Sequence, residues 1–265
     1  MIALLLLLAV ETPPASVPKP VDRAWSILDA GIGNKDAAKR AKAVHALGLL
    51  RNSRRAQGIA EKALEDANQD VRVEAATALG RLGVPSARPK LRQALEDKEV
   101  KVVIAAANAL YELKDPAAFD IYYALLTGER KSSDGLMQSQ LDRLRNRKDM
   151  EKLAFETGVG FVPFGGIGYE AWKTITHDDA SPIRALAASR LARDPDPKSA
   201  DALIQCRFDK KWQVRAAVVN AIAERRDRSL LDPVISLMDD ENDNVRYDAA
   251  ATVVELSGVR PVRKK

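Results

Sequence analysis

One cysteine and two histidines are all that this 265-residue chain holds of the side chains most used to bind zinc or to take a proton near neutral pH. The single Cys206 excludes an internal disulfide framework and a cysteine-rich zinc site. His45 and His177 leave little material for an imidazole metal site or a triad, and no HExxH, CxxC or Gly-x-Ser-x-Gly pattern occurs. Aromatic residues are 5% of the chain, which is low for one large compact core. A dominant charge is also missing. With 42 basic against 37 acidic residues, the net charge of +5 permits an anionic partner without requiring one. What remains is 46% hydrophobic and 30% charged, the balance of a folded domain and not of a disordered tail.

The opening run, residues 1–10, is apolar but shorter than the roughly 20 residues a membrane-crossing helix needs. It has the length of a signal-peptide core, with small residues at Ala15 and Ser16 for cleavage. No Lys or Arg precedes it, and Pro13 stands where a small residue is preferred. The expectation is a cleaved export signal with a Pro-rich linker over residues 1–20, hence a periplasmic or secreted protein; an uncleaved run would be a membrane-associated segment, and if the run is no signal the chain would be cytoplasmic.

The strongest pattern is internal repetition. Asp66-Ala-Asn-Gln-Asp-Val-Arg72, Asp178-Asp-Ala-Ser-Pro-Ile-Arg184, Asp209-Lys-Lys-Trp-Gln-Val-Arg215 and Asp240-Glu-Asn-Asp-Asn-Val-Arg246 each set an Asp six residues before an Arg. Asp178, Asp209 and Asp240 lie 31 residues apart, as do Asp66 and Asp97, where Val103 takes the Arg place. Asn34 and Arg40 fit one copy more, which makes six. Val71, Ala75, Ala76 and Leu79, like Val214, Ala217, Val218 and Ile222, recur at helical spacing after the Asp, and a shorter second helix follows. The Asp residues are expected to cap the first helices. Each Arg is expected to pair with Asp or carbonyls of the adjoining turn, at the 0–1 kcal/mol typical of an exposed pair.

These Asp…Val-Arg…Ala-Ala…Leu segments resemble the HEAT-repeat superfamily, particularly the short bacterial type found in phycobilisome bilin lyases. The resemblance covers about residues 34–115 and 178–258. It implies an all-α, right-handed α-solenoid of about six two-helix repeats, used as a scaffold for a protein partner. A bilin-lyase-like activity would follow from family analogy alone, with no catalytic residue to carry over.

Residues 21–126 and 178–258 thus hold the two repeat blocks, and a basic tail follows at 259–265. Residues 21–32, with Trp25, Ile27 and Leu28, are expected to cap the N-terminal end of the stack. Between the blocks, residues 127–177 form an insertion of different character. Eight of the 13 aromatics fall between Phe119 and Trp172, and five of the 14 glycines between Gly158 and Gly168. An amphipathic helix is expected from Leu136, carrying Arg143, Arg145 and Arg147, before the Gly-rich apolar stretch.

Phe161, Phe164, Tyr169 and Trp172, with those three arginines, are the candidate partner-binding residues, since aromatics and Arg dominate interface hot spots. The same stretch also reads as a loop plugging a gap in the stack, or as a peripheral membrane contact. His45 reads as a helix-face residue and Cys206 as an inert thiol of small-hydrophobe character. No cofactor, metal site or catalytic residue is expected, and the chain is read as a non-enzyme. The cross-class alternative is a nucleic-acid-binding solenoid using Arg51, Arg54, Arg55, Arg143 to Lys148, Arg225, Arg226, Arg228 and the tail. Separately, the repeat arginines also read as an anion-binding ladder.

Overall fold

The computed structural model describes residues 19–127 and 181–258. Twelve α-helices carry these residues, with no strand among them: α1 Pro20–Ile32, α2 Ala37–Leu47, α3 Arg54–Ala63, α4 Gln69–Leu82, α5 Arg88–Ala94, α6 Val100–Glu112, α7 Ala117–Thr127, α8 Ser181–Leu191, α9 Pro197–Cys206, α10 Trp212–Arg225, α11 Leu231–Ile235 and α12 Asp243–Gly258. The repeat's first helices are α2, α4, α6, α8, α10 and α12; the others are second helices. The export-like segment, the insertion from residue 128 onward, Asp178 and the basic tail lie outside the described residues.

Small residues let the first helices come close. Ala75, Ala76 and Ala78 of α4 and Ala105, Ala106 and Ala109 of α6 are all buried. At the tightest point a Cβ on Gly80 would lie 2.8 Å from Ala109 Cα, which is backbone and cannot turn aside. Gly80→Ala is therefore expected to cost about 1–3 kcal/mol through overpacking, although alanine is the better helix former. A thermal melt of the variant checks the sign.

The Asp and Arg of the repeat do a different job from simple capping. Asp66, Asp97, Asp209 and Asp240, expected to be the caps, stand two residues before the cap positions and accept the N–H of Asn68, Glu99, Lys211 and Asn242 in Asx turns. At α4 and α12 the side-chain cap is the residue two further on: Asn68 accepts from Asp70 N–H and Asn242 from Asn244 N–H, as Asp36 does from Ala38 at α2, whereas Glu99 and Lys211 make no side-chain cap.

The freed Asp carboxylates face backwards, to the Arg of the preceding repeat. Arg40 reaches Asp66 at 2.9 Å from both Nε and Nη2, and Arg72 reaches Asp97 at 2.7 and 2.9 Å. Arg184 pairs with Asp209 at 3.1 and 3.2 Å, and Arg215 with Asp240 at 2.6 and 2.8 Å. Arg40, Arg72 and Arg215 also donate to carbonyls of the turn five and six residues earlier. Only Arg184 fits the picture of an exposed pair. The Arg215–Asp240 side chains are 9% and 6% exposed.

This pairing also sets a pH dependence. The hydrogen bond from Arg40 holds Asp66 below its ordinary 3.8, against the opposing effect of burial. A carboxylate so depressed contributes stability in full above its unfolded pKa and loses it as pH falls through the folded value. Asp66→Asn is expected to leave a shallower acid limb in a stability-versus-pH series.

The order of repeats in space is not their order in the chain. First helices pack as α8 on α10, α10 on α12, α12 on α2, α2 on α4 and α4 on α6. The sixth repeat therefore stacks on the first. α12 has no second helix after it among the described residues; α1 packs on α12 and on α2 and fills that place. So residues 20–32 cap no end of the stack. They complete a repeat in its middle, with Ala24 and Leu28 fully buried. Gly31 makes the approach possible, since a Cβ there would sit 2.6 Å from the Tyr247 ring and 2.7 Å from Ala43 Cβ.

Candidate partner-binding surface

Two surfaces of the stack have chemistry beyond packing. The first is the outward face of the first helices, at positions two, five and nine after the repeat Arg. It presents Glu74 and Asp248, His45 and Asn220, and Arg81, Glu224 and Glu255. Near the 6-to-1 junction these join into a chain. His45 Nδ1 lies 2.6 Å from Glu74 Oε2, and Arg81 Nη1 lies 3.1 Å from His45 Nε2. Arg81 Nη2 donates to Asn220 Oδ1 at 3.3 Å, and Asn220 Nδ2 donates to Asp248 Oδ2 at 2.7 Å.

The Arg81–Asn220 bond fixes the curvature. Arg81 is on α4 and Asn220 on α10, with α2 and α12 stacked between them. Packed helices stand about 8–10 Å apart, so on a flat layer the two would be three spacings away, beyond the reach of two side chains. The layer must curl with its first helices inside. The first helices, and not the second, therefore line the concave side. Arg81 keeps exposed surface, as a group lining a groove does.

Charge in the groove is finely placed. Burial opposes a charge on His45, but the charge and hydrogen bond of Glu74 outweigh it and raise the pKa above 6.5. A proton on Nε2 competes with the Arg81 contact there, while Nδ1 faces Glu74. A raised histidine pKa adds stability that is full below the unfolded value and fades as pH rises through the folded one. Burial pushes Asp248 above the ordinary carboxylate value, against the pull of His45 and Arg81. Its ionisation therefore weakens the fold as pH rises through that raised value. Asp248→Asn keeps an acceptor for Asn220 and is expected to raise the melting temperature at neutral pH, with the gain vanishing in acid.

The second surface is at the α6–α7 end of the stack. Tyr111, Phe119 and Tyr123 are 44%, 59% and 40% exposed. Tyr111 meets Phe119 and Tyr122 edge to face, with ring centres 6.0 and 6.1 Å apart. Tyr122 is held by its hydroxyl, which donates to Asn108 at 2.7 Å. The opposite end, α8, exposes Ile183 and Leu186. Their counterparts on α10, Val214 and Ala217, are buried. The α8 end thus presents the apolar stacking face that a neighbouring repeat covers in the interior.

Phe161, Phe164, Tyr169, Trp172, Arg143, Arg145 and Arg147 lie outside the described residues, as do His177 and the Gly-rich stretch. Among the described residues no cluster of three metal-ligating side chains occurs, and no helix is long and apolar enough to cross a membrane. Cys206, expected to behave as a buried hydrophobe, is exposed at the end of α9. The arginines nominated for phosphate are largely occupied by protein. The ladder arginines hold aspartates, Arg225 donates to the carbonyls of Leu191 and Asp194, Arg226 pairs with Glu255 at 3.0 Å, and Arg55 pairs with Asp29 at 2.8 Å. Sequence reading noted the aromatic density from Phe119 but missed Tyr111; its place on the same end face follows only from the packing of α6 on α7.

A family model for HEAT repeats matches residues 56–132 and 170–255, more than half of the chain. No curated protein matches it. Among solved structures, the complex of CpcE and CpcF of phycocyanin lyase from Nostoc sp. PCC7120 is similar at 20% identity, covering 94% of this chain and 100% of that one with a TM-score of 0.35. An engineered protein is similar at 13% identity, covering 89% of this chain and 96% of its own, with a TM-score of 0.30. The Asp–Arg ladder, the paired helices and the matching model together make this chain a member of the HEAT-repeat family.

Proposed function

We propose that this chain is an exported scaffold that holds a protein partner and performs no chemistry of its own. The observation that carries the reading is the aromatic end face of Tyr111, Phe119 and Tyr123, in which Tyr111 braces Phe119 edge to face while all three stay accessible. Preordered aromatics lose little side-chain freedom on binding, which is why they dominate hot spots. The groove supports the same reading from the other side. Its histidine, carboxylates and arginine are engaged with one another, an arrangement suited to holding helices in place.

A photo-crosslinking amino acid at position 119, with Lys62 on α3 as the exposed control, tests the site in cells. A discrete adduct at 119 and not at 62 is expected. Phe119→Ser is expected to weaken the same complex at least tenfold, since a hot-spot truncation costs about 2 kcal/mol or more. Adducts equal at both positions, or none, would remove the end face as the docking surface. Export is tested separately by the intact mass of the mature protein, expected to lack about the first 15 residues.

A further inference from the structure

The Asp–Arg ladder is complete inside each block of three repeats and absent between the blocks. Arg40–Asp66 and Arg72–Asp97 join repeats one to three; Arg184–Asp209 and Arg215–Asp240 join repeats four to six. Where the sixth repeat meets the first, Asn34 stands in the Asp position and Arg246 turns back to Asp243 of its own helix. Other contacts secure that junction. Lys42 faces Asp243 at 3.8 Å, Arg23 pairs with Asp239, and Arg81 reaches Asn220. Gly31 admits the Tyr247 ring, and Leu28 and Leu256 are fully buried. Each block therefore carries its own internal staples and meets the other through a separate set of side chains.

The contacts named at this meeting are all non-covalent. The chain between Thr127 and Ser181 leaves from the α7 end of the stack and returns at the α8 end. Its 53 residues (128–180) can extend to roughly 170–190 Å, whereas five helix spacings amount to only about 40–50 Å. That contour length alone does not oblige the two blocks of one chain to pair with each other.

We infer that residues 19–127 and 181–258 are complementary half-solenoids, and that the face of α12 is a docking site for α1 and α2 of a second copy of this chain. Exchange then turns two closed chains into a dimer in which each sixth repeat is completed by its neighbour's first helix. The interface is the same in both forms; concentration and the tether decide between them.

The test uses the whole chain with a protease site inserted after Gly128. The folded protein is cut, and isotope-labelled and unlabelled batches are unfolded and refolded together. Native mass spectrometry is expected to show the two fragments paired one to one. Half of the pairs should be hybrids of one labelled and one unlabelled fragment, the proportion random pairing gives. Uncut batches refolded together at high concentration are expected to yield mixed dimers, and at low concentration monomers. Gly31→Leu should dissociate the cut pair while the uncut chain keeps its helical content. Fragments that part after cutting, or pairs that never mix, would overturn the inference. So would mixed dimers that form undiminished with Gly31→Leu, because they would use some other surface.

Discussion

Asp240→Ala is expected to destabilise the fold by about 3 kcal/mol, the lower end of what breaking a buried ion pair costs. The loss arises less from the missing attraction than from the stranded partner. Arg215 is 9% exposed and would keep only the carbonyls of Asp209 and Lys210 and the more distant Glu241. Asp209→Ala is the matched control. Asp209 makes the same Asx turn and the same two-pronged pair, but its partner Arg184 is 44% exposed and can return to water. That variant is expected to lose no more than about 1 kcal/mol from the pair. Equal losses in urea unfolding would mean that the turn, and not the ion pair, carries the energy.

Gly31→Leu is expected to cost a further distinct penalty of about 3 kcal/mol, because α1 lies too close to both neighbours for any side chain. A Cβ alone would meet Tyr247 Cε1 at 2.6 Å and Ala43 Cβ at 2.7 Å. Tyr247 is only 4% exposed, so its ring has nowhere to move. Shrinking it should return part of the loss: Tyr247→Ala combined with Gly31→Leu is expected to be less destabilised than the two single effects added. Simple additivity would place the damage elsewhere, since only residues in contact couple strongly.

The sequence made the first helices legible because their markers are local. Asp and Arg six residues apart, followed by alanines at helical spacing, announce α4, α10 and α12, and the shorter partners follow from the 31-residue period. The role of the Asp was less legible. An Asx turn and a helix cap draw on the same residue types, so Asp66 and Asn68 exchange places without any change in composition. The stacking order was not legible at all. α1 reads as an end helix when only neighbours in sequence are considered, and its apolar face, with Leu28 buried on α12 and α2, does not name its partner. The groove follows from that contact. His45, Arg81, Asn220 and Asp248 look unrelated along the chain and meet only once the sixth repeat lies on the first. The aromatic insertion was visible as a change of composition, but composition does not say what it touches.

The placement of α1 also imposes a timetable on synthesis. About 210 residues separate Ile32 from Asp243. At a ribosomal pace of 5–20 residues per second, α1 waits roughly 10–40 s for the helix it packs against. Throughout that interval Ala24 and Leu28, which the finished protein hides completely, have only part of their cover. α1 is made long before the helix that covers it, so its apolar face is fully sheltered only once the sixth repeat has emerged.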